Sequence, residues 1–140
     1  YGGGDGGISL CVLDGHVHFV SNFLGKEHTV ATSRSAVRPG PLVIDVAFER
    51  TAPNAGHVRL SMDGELEAEA DVARTNPIAF SSSEGLEVGT DGVSPVWPRY
   101  RPPFPFDGTI HQVVLLTPPP EQRPTAEQAA AEAREAMLRQ

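Results

Sequence analysis

The stretch Gly7–Phe23, GISLCVLDGHVHFVSNF, alternates side-chain character on either side of an Asp-Gly pair. In an extended chain Ile8, Leu10 and Val12 point one way, and Val17 and Phe19 resume the alternation after the pair. Asp14-Gly15 tolerates the positive φ angles of a two-residue turn, so the stretch reads as a hairpin with one face on a core. Further strands are predicted at His28 to Thr32, Leu42 to Phe48, His57 to Met62, Glu65 to Val72 and Leu86 to Val88, with Thr109 to Leu116 the last. Asp63-Gly64 marks a second hairpin. Strands this closely spaced, with no long helix between them, imply an antiparallel sandwich or barrel.

At 140 residues the chain fits one domain that can bury a core without metals or disulfides. Its net charge of −7 would be repelled by nucleic-acid phosphates and anionic membranes, and Lys and Arg form no basic run. No run of about 18 apolar residues is present to span a bilayer, and the amino end has no signal-peptide pattern. The lone Cys11 excludes an internal disulfide. Nothing marks a secreted compartment, and a cytoplasmic setting is the expectation. The chain opens at Tyr1 rather than Met, which reads as a piece of something longer.

After Leu116 the composition changes. TPPPEQRP is a stiff linker and TAEQAAAEAREAMLRQ is rich in helix formers. Thr125 and Gln128 have capping-box spacing, Glu135 and Arg139 form an i,i+4 pair, and Ala126, Ala129, Ala130, Ala133 and Met137 give a narrow apolar face. So short a helix frays unless it docks. The expected organisation is a sandwich over 1–117, a Pro-rich linker over 118–124 and a helix over 125–140.

Candidate chemistry is sparse. His16 and His18 face the same side of one strand, as a metal pair would need, yet zinc wants two further ligands that the sequence does not place nearby. Both are expected on a solvated sheet face, and no arrangement can be read from His28, His57 or His111. Cys11 has no visible base or helix end to activate it and reads as an inert strand residue. Asp5, Asp14, Asp63, Asp91 and Asp107 each neighbour glycine; calcium could use such carboxylates, but Asp-Gly is above all turn chemistry. YGGGDGG at the start has neither strand before it nor helix after it, so it is expected to be a flexible lead-in rather than a phosphate cradle. The crowded SPVWPRYRPPFPFDGTI, Ser94–Ile110, runs without a break into the apolar IHQVVLL, so its phenylalanines are expected to pack rather than to be displayed.

Three segments carry a family resemblance: GGISLCVLDGHVHFVSNF, VRLSMDGELEAEADVARTNPIAFSSSEGLEVGTD and SPVWPRYRPPFPFDGTIHQVVLL. In order and spacing they resemble the carboxy-terminal domain of large bacterial arylsulfatases of the mycobacterial type, across roughly Gly6 to Leu116. Cys11 and Ser21 stand where that family often carries tyrosine, and Met62 where valine is common. TAPNAGH, after Arg50, is shorter than the Gly-rich loop expected there. The resemblance implies an all-β, antiparallel jelly-roll or lectin-like β-sandwich, to which the composition after Leu116 adds a C-terminal helical tail. It implies a non-catalytic accessory domain that packs on a sulfatase catalytic domain, and the narrow apolar face of the tail helix after the proline linker is expected to lie on that partner.

The parent enzyme is implied to use calcium and a formylglycine made within C-x-P-x-R or S-x-P-x-R. This chain contains neither motif, so no catalytic residue, metal ligand or cofactor is carried over to it. The family usually has another strand before the Gly-rich start; a sheet without it would leave an unpaired edge through which two copies could pair. The alternative is a carbohydrate-binding module in which Trp97 and Tyr100 stack on a glycan, a role that requires their rings to be exposed.

Overall fold

The structure is a computed structural model that describes residues 1–76, 84–117, 125–128, 130–131 and 134. Its strands are β1 (Gly2–Gly3), β2 (Gly6–Leu13), β3 (His16–Phe23), β4 (Glu27–Ala36), β5 (Ile44–Ala52), β6 (Ala55–Met62), β7 (Glu65–Val72), β8 (Thr90–Asp91) and β9 (Phe104–Pro105). All pairings are antiparallel: a four-stranded sheet β1-β2-β3-β4, a three-stranded sheet β5-β6-β7 and the small pair β8-β9. The class is all-β, as expected. The strands of each larger sheet follow one another in chain order, so among the described residues neither sheet has the interleaved order of a jelly roll.

Both Asp-Gly pairs make their turns with positive φ at each residue, 51° and 78° at Asp14-Gly15 and 50° and 84° at Asp63-Gly64. A third turn, at Leu24-Gly25, uses the same region with φ of 52° and 68°. The two sheets meet through apolar side chains. Phe19 and Ala31 of the first pack with Val58 and Val72 of the second, and Val17 packs with Leu60 and Met62. Val17, Val58 and Leu60 are fully buried; each such side chain contributes roughly 1.5–3 kcal/mol of burial free energy.

One seam between the sheets is fastened by two irregularities. Opposite Val17, β4 carries extra residues between Thr32 and Ala36, and the buried Ser33 fills the gap by accepting the Val17 amide at 3.0 Å. In β7 the pairing skips Glu67, which turns its carboxylate to accept the Ser35 amide at 2.7 Å. Arg34 donates to the Leu66 carbonyl beside it. Ser35 lowers the Glu67 carboxyl below the usual carboxylate range, first through its amide and then its hydroxyl.

Three expectations need correction. The glycine-rich start is no flexible lead-in: Gly2 and Gly3 pair with Gly7 and Gly6, and all four are buried. Leu86 to Val88 is irregular and exposed, the neighbouring strand being Thr90–Asp91. Thr109 to Leu116 is not a strand; it is an exposed arm, because nothing in the described chain takes up its backbone N–H and C=O groups. The linker over 118–124 lies outside the described residues, as does the Glu135–Arg139 pair. The capping box is formed: the Thr125 amide donates to Gln128 Oε1 at 2.8 Å, and the Gln128 amide donates to Thr125 Oγ1 at 3.2 Å.

Candidate functional site

Five residues singled out in the sequence converge on the outer face of the first sheet: Cys11, His18, Asp91, Trp97 and Tyr100. The alternation that turns Val17 and Phe19 inward turns His18, Val20 and Asn22 outward. That outward face is not solvated. The segment Ser94–Phe104 folds over it, and Val20, Val96, Trp97 and Tyr100 form a buried cluster with Cys11, Leu13, Val30 and Phe104 against them. β3 is therefore buried on both faces.

The contacts are specific. The Trp97 ring lies 5.0 Å from the His18 ring, tilted by 50°, and Arg99 sits over it at 5.2 Å while reaching the Asp14 carboxylate at 3.1 Å. Tyr100 stacks on Phe104 at 4.4 Å and donates its hydroxyl proton to Asp91, with Ser9 Oγ 3.4 Å away. Burial, reinforced by the Asp91 carboxylate, raises the Tyr100 phenol above its ordinary range. His18 donates Nε2–H to the Leu13 carbonyl at 3.1 Å and accepts from Thr32 Oγ1 at Nδ1, 2.9 Å away, which fixes its tautomer. Burial pushes the Cys11 thiol to about 11, partly opposed by Ser9, so it is a protonated, poor nucleophile at neutral pH.

Trp97 is 7% exposed and Tyr100 5%. Neither presents a ring face to a sugar, and the stacking role expected of them is corrected accordingly. His18, at 6%, likewise leaves the solvated face on which it was placed, while His16 is half-buried and donates Nδ1–H to the Ser33 carbonyl. The packing expected of the phenylalanines holds for Phe104, whereas Phe106 is 44% exposed.

The remaining candidates are dispersed. His57, on β6, sits between two carboxylates of β7, with Nδ1 2.7 Å from Asp71 and Nε2 3.4 Å from Glu69, and the Asp71 bond first and the Glu69 bond second raise its pKa. Asp63 accepts the Val43 amide at 2.9 Å and Asp14 holds Arg99, both as turn residues. Asp5, Asp107 and His111 are exposed and His28 is half-buried. Among the described residues no three of His, Cys, Asp and Glu are grouped to hold a metal ion. An open groove of about 320 Å³ runs along the fastened seam, lined by Arg34, Leu66, Glu67, Ala68 and Glu69.

Sequence reasoning passed over the residues that anchor this face. Asn22, 1% exposed, donates Nδ2–H to the carbonyls of Gly3 and Gly4 at 3.0 Å and accepts the Gly25 amide at 2.8 Å. The signal was an amide on the outward face two residues before a turn. Ser94 joins the covering segment to the amino-terminal hairpin, accepting the Gly4 amide at 3.0 Å and donating to Glu84 at 2.7 Å. A Cβ on Gly3 would lie 2.2 Å from Ser94 Oγ, so that approach demands glycine.

Comparison with known proteins finds no matching family profile, no similar curated protein and no similar solved structure.

Proposed function

We propose that this chain is a non-catalytic β-sandwich module that packs on the catalytic domain of a sulfatase-type ester hydrolase, as the three resembling segments imply. The observation that carries this reading is the use made of the Trp97 segment. The indole and phenol of that segment, with the Cys11 thiol and His18 imidazole of the sheet beneath it, are all engaged in packing one layer on another, and a module so organised serves by its surface. The formylglycine and calcium of such an enzyme belong to the catalytic partner. The tail helix is the proposed contact. Its described residues, Thr125 to Gln128, Ala130, Ala131 and Arg134, are exposed on this chain and leave alanines for a partner to cover.

Calorimetric titration of the chain into a separately produced catalytic domain of such a hydrolase tests the reading, with neutral and sulfated sugars titrated alongside. Association that weakens on deletion of Pro118 to Gln140 and no heat with any sugar are expected. Failure to associate, or sugar binding, would overturn it; association unaffected by the deletion would remove the helix from the contact.

A further inference from the structure

Two features of the surface complement each other. The first is the arm Thr109–Leu116, TIHQVVLL. Ile110, Val113, Val114, Leu115 and Leu116 are all exposed, Leu116 by 90%, and because successive residues are apolar both faces of an extended arm are apolar. No backbone hydrogen bond of Thr109 to Leu116 is made within the described residues. A large apolar strip with free N–H and C=O groups is a strand without a sheet.

The second is the open side of the sandwich. β5 forms the edge of its sheet, and among the described residues its Ile44 to Glu49 pair only with β6. Across from that edge, Ile8 and Leu10 of β2 share the inward side with Phe19 and Val17 but remain 39% and 49% exposed, because the three-stranded sheet stops short of them. Phe48 on β5 is 47% exposed. A strand added beside β5 would extend that sheet over Ile8 and Leu10. The lengths agree: eight arm residues span about 27 Å and β5, with nine, about 30 Å. The edges of β4 and β7 face each other at the fastened seam, and the edge of β2 runs only beyond Ile8, whose backbone is paired with Tyr1, and is too short for the arm.

Among the described residues the arm makes no backbone hydrogen bond to its own β5. It leaves the segment that covers the outer face of the first sheet, where the Phe106 amide bonds the Gly89 carbonyl, whereas β5 belongs to the second sheet on the opposite side. We infer that two copies of this chain exchange arms, the Thr109–Leu116 strand of each adding to the β5 edge of the other. The exchange is reciprocal and so closes as a two-fold dimer. Charge permits it: each chain carries −7, but residues 108–120 contain no carboxylate, so the inserted strand brings no like charge beside Asp45 and Glu49. Raising the ionic strength therefore strengthens the dimer by screening the two bodies.

The test uses the purified chain alone, which separates it from the proposed docking on a catalytic domain. Light scattering after size exclusion is expected to give twice the chain mass of 14.9 kDa at high micromolar concentration. Val114→Pro, which removes a ladder donor from a segment that joins no core cluster among the described residues, is expected to return the mass to that of one chain with an unchanged melting temperature. Leu115→Lys is expected to do the same. A single-chain mass for the unaltered protein, or a dimer that persists in both variants, overturns the inference.

Discussion

Replacing Trp97 by alanine distinguishes a packed ring from a displayed one. The side chain is 7% exposed and touches Val20, Val96, His18 and Arg99, so its removal opens a cavity between the first sheet and the covering segment. Deleting a buried aromatic side chain of this kind costs about 3–5 kcal/mol. Unfolding entropy near 2.1 cal/mol/K per residue gives a 140-residue chain about 0.3 kcal/mol/K, so the melting temperature should fall by about 10–17 °C. Scanning calorimetry reads the shift directly. Trp97 is also the only tryptophan, so its fluorescence in the unaltered protein should be blue-shifted, protected from acrylamide and lost as a single transition on unfolding. Trp97→Phe retains an aromatic body and should lose less than Trp97→Ala. A surface residue changes stability by only about 0.5 kcal/mol. A fall of less than about 2 °C, or a tryptophan freely quenched in the native state, would therefore refute the packing derived for this face.

Asn22→Ala removes the links to Gly3, Gly4 and Gly25 and leaves one buried and two partly buried backbone groups without that partner, a loss of about 2–4 kcal/mol measurable by urea unfolding; faster hydrogen exchange at the Gly25 amide should accompany it. Glu67 has its carboxyl pKa lowered in the folded state. Its stabilising contribution is therefore complete above the unfolded value near 4.5 and disappears as pH falls through the folded value. The gap in melting temperature between the unaltered protein and Glu67→Gln should narrow on acidification below 4.5; a constant gap would contradict the assignment. For Cys11, a thiol at about 11 rather than the ordinary 9.0 means about a hundredfold less thiolate at neutral pH, and alkylation of the native protein should lag that of the unfolded chain by at least that factor. Equal rates would place the thiol in solvent.

The turns and inward faces were legible because the information is local. Asp14-Gly15 and Asp63-Gly64 each carry their φ preferences within two residues, and Glu65 to Val72 was read with the bounds of β7. The amino-terminal hairpin was misread for a related reason. Glycine's lack of a side chain permits both a loose lead-in and a very close approach, and the choice of the second rests on Asn22 and Ser94, far along the chain.

The outward face of β3 shows the same limit for the candidate site. Alternation correctly opposed His18 to Val17 and Phe19, but a period of two says only that two faces differ. It says nothing of whether a segment some eighty residues later will lie on the second one, as Trp97 does on His18. The arm is the complementary case. Ile110 to Leu116 has the composition of a strand, yet a strand exists only where another backbone accepts its hydrogen bonds.

The sequence by itself determined the all-β class, the two Asp-Gly hairpins, the inward sides of β2 and β3 and the Thr125 cap, because each depends on φ preferences or side-chain period over a few neighbouring residues. Only the tertiary structure decided that His18, Trp97 and Tyr100 are buried in one layer, that Glu67 fastens one sheet to the other, and that Thr109 to Leu116 finds no strand partner among the described residues. Those outcomes depend on which distant surface arrives, and burial and pairing are properties of two surfaces together.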